Sequence, residues 1–184
     1  MNTPTPRSPT LVTIIVRNAD SQQLAVTLES IARQTYPDIE IVVVDMQVSE
    51  QGEPILQCGS FSVHRINCHG KSMTPAAAAN AGLQAAHGDW ITVLDSGVEL
   101  YLEHVHQLVA ALNDHPDAVA AYTRIRTIDS VGTVLNECGA PFDPVDLYSG
   151  QLLSIQSLIF RRRLIEAGTG FDENFAGYAD WDFC

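Results

Sequence analysis

The sequence predicts an α/β fold: a mostly parallel sheet with helices on both faces and an antiparallel hairpin added late in the chain. Three observations lead there. "LVTIIV" (11–16), "IEIVVVD" (39–45) and "WITVLD" (90–95) are continuous apolar, β-branched runs of strand length, as found in strands covered on both faces. The segments between them include stretches of helical periodicity, and strands alternating with such helices imply parallel pairing with right-handed crossovers. After Pro116 the pattern changes to alternation around a Gly-containing turn, the mark of a hairpin.

Taken in order, the first run is followed by a helix that Asp20 or Ser21 caps, with Gln23 where a capping-box partner belongs. Leu24, Leu28, Ile31 and Ala32 form its apolar stripe, and Tyr36 and Pro37 mark its end. The second run follows, then a polar stretch to Ser60 and a short alternating strand, "FSVHRI". A helix opens at Thr74 with Pro75 at its first position, runs through "AAAANAGLQAA" and stops at Gly88. The third run leads into a helix built on Leu102, Val105, Leu108, Val109 and Leu112. "AVAAYTRIRTIDSVGTVL" is the hairpin, turning at 129–132, and 136–150 is a loop. "LLSIQSLIF" is a last strand, "RRRLIEAG" a short helix ended by Gly168, and "GFDENFAGYADWDFC" an acidic, aromatic tail.

Composition narrows the function classes. With 46% hydrophobic and 17% charged residues, 184 residues can bury one core, so 1–184 reads as one domain behind a flexible 1–10. A net charge of −12 repels phosphate backbones and anionic lipid, which argues against a nucleic-acid partner. No apolar run approaches the roughly 20 residues of a membrane span, and "MNTPTPRSPT" lacks a secretory apolar stretch, so the expectation is a cytoplasmic protein. Cysteines 58, 68, 138 and 184 form no CxxC pair and read as reduced thiols. His104 and His106, two apart on a helix, cannot face one metal ion. Neither GxGxxG nor GxxxxGK[ST] is present, which removes dinucleotide oxidoreductases and phosphate-loop NTPases.

The chemistry points to strand ends. Open parallel sheets bind ligands beyond the carboxyl ends of their strands, and Asp45 and Asp95 both stand there. Taken singly, either carboxylate equally suits capping of the next turn. Two strands ending in acid raise the odds of a shared site.

"LESIARQTYPDIEIVVVD", "AAAANAGLQAAHGDWITVLDSG" and "GFDENFAGYADWDF", in that order, resemble the family 2 glycosyltransferases, nucleotide-sugar enzymes of the GT-A (Rossmann-like) fold, over residues 11–184. The resemblance implies that Asp45, Asn80, Asp95 and Ser96 hold the nucleotide sugar, Asp45 at its base, and that Asp180 is the general base. It places the family's Asp-x-Asp motif on Asp95, Ser96 and Gly97, where two acids would hold Mg²⁺ or Mn²⁺ against the diphosphate. With Gly97 at the second position only Asp95 remains as a metal ligand, a weak site unless Glu99 reaches in. Met46, Ala79 and Ala179 stand where the family has a second acid, an Arg and a Glu. Gly82, of the Asn-Ala-Gly motif, implies close backbone approach to the sheet or to the nucleotide, the sheet being favoured. Asp180 also suits capping of a terminal helix, and Tyr178 and Trp181 suit either sugar stacking or packing.

Two functions follow. One is an inverting transferase that moves a sugar from a nucleotide-diphosphate donor to a glycan or lipid-linked acceptor, as in cell-envelope polysaccharide synthesis, working in the cytoplasm or at the inner membrane face. The other is a catalytically degenerate module of the same fold that binds nucleotide, sugar or a protein partner without turnover. By the same resemblance, relatives carry more helix beyond the position of Cys184, so the expectation is a domain lacking its C-terminal part, either a portion of an enzyme or a natural shortened form, with a C-terminal face suited to self-association or to a partner domain.

Overall fold

All seven residues of β1 (Val12–Asn18) are buried, which only a strand covered on both faces and paired on both edges can achieve. A computed structural model describes residues 10–48, 57–68, 70–139, 141–143, 145, 153–175 and 177–184. Beside β1 lie β2 (Ile39–Asp45) and β5 (Trp90–Asp95), both parallel to it. β4 (Phe61–Ile66) extends the parallel set next to β2. The edges are completed by antiparallel pairings: β3 (Gln57–Cys58) against β4 on one side, and on the other β9 (Leu158–Arg161) against β5, then β6 (Ala120–Tyr122) against β9, so that β6 again runs with the parallel set. The resulting order is β3-β4-β2-β1-β5-β9-β6.

Strand parity sorts the core into two layers. Val12, Ile14 and Val16 face α1 (Ser21–Ala32) and α3 (His104–Asp114), packing on Leu24, Ile31, Val105, Leu108 and Leu112. Ile15, Val42, Val44, Ile91 and Val93 face α2 (Pro75–Ala85), whose Ala78, Ala79 and Leu83 they bury. Gly82 makes this second contact close. A Cβ there would lie 2.4 Å from Cγ2 of Ile15, so the helix sits on the sheet at a distance that only glycine allows.

The caps follow local chemistry. Asp20 caps α1, accepting from the backbone N–H of Gln22 at 2.8 Å and of Gln23 at 3.4 Å. Thr74 caps α2 by accepting from Ala77 N–H at 3.2 Å, with Pro75 in the first turn. α4 (Arg163–Glu166) ends before Gly168, whose φ of +97° allows the reversal. α5 (Ala179–Phe183) closes the chain, Phe183 stacking on Phe171 with centroids 4.3 Å apart.

Several boundaries differ from the sequence reading. Ala120–Tyr122 leaves the expected hairpin and pairs with β9 in the main sheet. The hairpin is confined to β7 (Ile125–Ile128) and β8 (Val134–Cys138), so β8 also takes the first residues of the expected loop. "LLSIQSLIF" is not one strand: Ile155–Ser157 forms a 3-10 turn before β9. α3 begins at His104, leaving Leu102 exposed, and α1 and α2 end at Ala32 and Ala85, short of Tyr36 and Gly88. Tertiary pairing overrides local alternation in each strand case, because β5 offers an open edge that β9 and then β6 complete. The expected flexible N-terminus falls, but for Thr10, outside the described residues, as does most of the polar stretch before Ser60.

Candidate active site at the carboxyl rim of the sheet

β1, β2 and β5 end together. The register pairs Arg17 with Asp95 and Asn18 with Asp45, so four polar residues line one rim of the parallel sheet. Arg17 and Asn18 are successive residues of one strand, and their side chains leave on opposite faces. Two polar clusters result, one per face.

On the α2 face, the Arg17 guanidinium is 1% exposed and bridges two carboxylates. Its Nε donates to Asp95 Oδ1 at 2.7 Å, and its Nη1 and Nη2 donate to Asp180 Oδ1 and Oδ2 at 2.7 and 2.8 Å. The fork-to-fork geometry with Asp180 is the strong form of this pair. The second oxygen of Asp95 accepts from Gln156 Nε2 at 2.7 Å. Burial alone would favour loss of the Arg17 proton. Hydrogen bonds and charge from Asp180 and Asp95 outweigh it and raise the pKa, so the group stays cationic. Asp95 and Asp180 keep one side open, their side chains 40% and 36% exposed.

On the α1 face, Asp45 is 4% exposed. Arg65 Nε donates to its Oδ2 at 2.7 Å and Arg65 Nη2 to its Oδ1 at 2.9 Å, while Asn18 Nδ2 donates to Oδ1 at 2.6 Å. The Asn18 carbonyl oxygen is buried with no hydrogen-bond partner among the described residues. Such an orphaned acceptor costs about 1–3 kcal/mol.

The remaining sequence candidates are placed as follows. Ser96 Oγ accepts from Ala19 N–H at 3.3 Å and Ser96 N–H donates to Arg17 O at 3.0 Å, tying the turn after β5 to the end of β1. Asn80 is engaged by the tail: its amide donates to Phe171 O and Glu173 Oε1 and its carbonyl accepts from Phe171 N–H, each at 2.9 Å. Asp180 lies in the first turn of α5 and does not cap it; Tyr178 holds that position without a side-chain bond. Tyr178 and Trp181 are exposed and do not pack in the core, where Phe171 and Phe183 anchor the tail. Gly97 has φ +99°, a conformation L side chains rarely adopt. Its N–H donates to Thr27 Oγ1 at 2.9 Å, and a Cβ there would stand 2.6 Å from Gln23 Oε1. Glu99 is exposed.

The fit of a divalent cation is decided by the donor set. Both oxygens of Asp95 already accept from N–H groups, and Gly97 offers none. No group of three or more His, Cys, Asp or Glu is arranged as a metal site among the described residues. His104 is half-buried and His106 exposed, on different sides of α3. As built, the carboxylate rim fits a resident guanidinium and not a bare divalent ion.

Sequence reasoning missed Arg17, Asn18, Arg65 and Gln156. For Arg17 a signal was available. It closes the run "LVTIIVRN", and a charged residue at the end of an otherwise apolar strand must find a buried partner. The partner itself, 163 residues away, has no local signature.

No curated protein matches the sequence. Among solved structures, TarS of S. aureus, residues 1–349 in complex with UDP, superposes with a TM-score of 0.75 at 20% identity, over 94% of this chain and 53% of that one. The same protein in complex with UDP-GlcNAc gives 0.75 at 18% identity, over 94% and 52%. The mannosyltransferase PcManGT from Pyrobaculum calidifontis, in complex with GDP-Man and Mn²⁺, gives 0.65 at 19% identity, over 98% and 52%. The chain thus spans about half the length of these structures, and at such identity the likeness shows the shared GT-A fold. Residues 11–138, more than half of the chain, match glycosyl transferase family 2, and the chain belongs to that family.

Proposed function

We propose that this chain carries the donor half and the general base of an inverting glycosyltransferase that uses a nucleotide-diphosphate sugar and a glycan or lipid-linked acceptor. The observation that carries the reading is the joining of Asp95, on β5, and Asp180, on α5, through one buried guanidinium at the sheet rim where α/β ligands bind. In this reading Asp95 faces the donor, and Asp45 sets its nucleotide from β2, on the other side of β1. Asp180, oriented by Arg17, takes the proton of the acceptor hydroxyl. The hydroxyl oxygen attacks the anomeric carbon from the face opposite the diphosphate. The bond from that carbon to the diphosphate oxygen breaks, the nucleoside diphosphate leaves with the electron pair, and configuration inverts. Exposed Tyr178 and Trp181, flanking the base, offer ring faces to a sugar. The place of action is proposed as the cytoplasm or its membrane face. No helix among the described residues is long and apolar enough to cross a membrane.

A binding module without turnover is the second reading. It is favoured by Gly97 and by the engagement of both Asp180 oxygens with Arg17. Melting curves with UDP and GDP, repeated on Asp95→Asn, test donor binding. Ligand at a hundred times its Kd adds about 2.7 kcal/mol, which in a chain of this size raises Tm by roughly 5–10 °C. A shift lost in Asp95→Asn supports the donor site, and silence with both nucleotides removes it. Release of nucleoside diphosphate from nucleotide sugars then separates the transferase from the module.

A further inference from the structure

The contact between Arg17, Asp95 and Asp180 has a property that family membership does not imply. All four carboxylate oxygens of the pair are engaged: three by Arg17, the fourth by Gln156. The guanidinium has no alternative location. It is 1% exposed, rooted on the central strand of the sheet, and a buried charge without its partners is strongly unfavourable. A divalent ion at either acid would have to share oxygens that already accept N–H donors, and would sit beside a fixed positive charge that cannot move away. We infer that Arg17 is a resident cation standing between Asp95 and Asp180, and that the two acids form a latent divalent-cation site which the guanidinium keeps closed.

Two consequences follow. Arg17 is a positioning residue, since it acts through the carboxylates it holds and not on reacting atoms. Resting on the donor-site reading above, nucleotide affinity is set without an added metal, because the charge that a cation would supply is already built into β1. The local sum of two carboxylates and one guanidinium is still negative, so this affinity is modest.

The test uses Mn²⁺ alone, followed by the loss of its free-ion paramagnetic resonance signal, and needs no activity. The wild-type chain is expected to show no saturable uptake that Asp95→Asn abolishes. Arg17→Gln removes the charge and opens the pair. A neighbouring unit charge changes the proton affinity of a carboxylate by one to three powers of ten, so Mn²⁺ uptake should tighten at least about tenfold and be lost again in Arg17→Gln with Asp180→Asn. Arg17→Lys, which keeps a charge, should not gain it. A folded Arg17→Gln variant that gains nothing overturns the inference, as does wild-type Mn²⁺ uptake that depends on Asp95. Should Arg17→Gln not fold, the wild-type and Asp95→Asn comparison decides. UDP titrations in EDTA and in Mn²⁺ keep the two ideas apart. Equal affinity in both supports a resident cation, Mn²⁺-dependent affinity overturns it, and absence of binding in both defeats the donor reading while leaving the Mn²⁺ result to stand on its own.

Discussion

Gly82→Ala sets two effects of known sign against each other. Alanine in a helix interior is worth about 1 kcal/mol over glycine, so the substitution is stabilising if the site has room. It has none: the new Cβ would stand 2.4 Å from Ile15 Cγ2 and 3.2 Å from its Cγ1 and Cδ1. Carbon atoms pack best at about 3.5–4.0 Å, so α2 or Ile15 must shift by roughly 1 Å. Ile15 is fully buried in the central strand, and overpacking of this kind costs about 1–3 kcal/mol. Overpacking wins, with a net loss of about 1–2 kcal/mol. Urea midpoints at constant m-value measure it. Ile15→Ala alone should cost about 2–5 kcal/mol, and in that background Gly82→Ala should become neutral or stabilising, a coupling of about 1–3 kcal/mol. If Gly82→Ala raises the wild-type midpoint and shows no coupling to Ile15, the close approach of helix and sheet is wrong, and glycine must be explained by a ligand.

Two further predictions concern ion pairs. Arg65→Met leaves the Asp45 carboxylate, buried at the rim, with Asn18 as its remaining donor of those described above. It should cost about 3–5 kcal/mol in urea denaturation, and a loss below about 1 kcal/mol would refute the buried pair. Glu40 is half-buried, which by itself would raise its pKa, but bonds from the Thr13 hydroxyl and His87 N–H lower it below the ordinary 4.5. Its contribution is therefore present above 4.5 and is lost as pH falls through the depressed folded value. Glu40→Gln should be less stable near neutrality and show a flatter fall of stability in acid. Parallel curves for the two proteins would refute this.

Local pattern was sufficient for the parallel half of the molecule. β1, β2 and β5 are unbroken apolar runs, and burial on both faces leaves no other periodicity open to them. Asp20 and Thr74 could likewise be read as caps, because a cap acts within three residues of itself. The acids at 45 and 95 were legible as rim residues for the same reason: a strand's end is local information.

What only tertiary structure decided is which groups those acids meet. Parity places Asp45 and Asp95 on opposite faces of the sheet, on the two strands that flank β1, a matter of register and not of spacing along the chain. The fate of Ala120–Tyr122, drawn from a hairpin into the main sheet, was set by an edge contributed by residues nearly forty positions later. Arg17 became the centre of the site because folding brought Asp180 onto it from across the chain. Sequence alone determines the buried parallel strands and the helices packed on them, since hydrophobic periodicity acts over one or two turns or strands. Charge pairing acts through space, and a buried guanidinium takes whichever carboxylates the packed sheet leaves beside it.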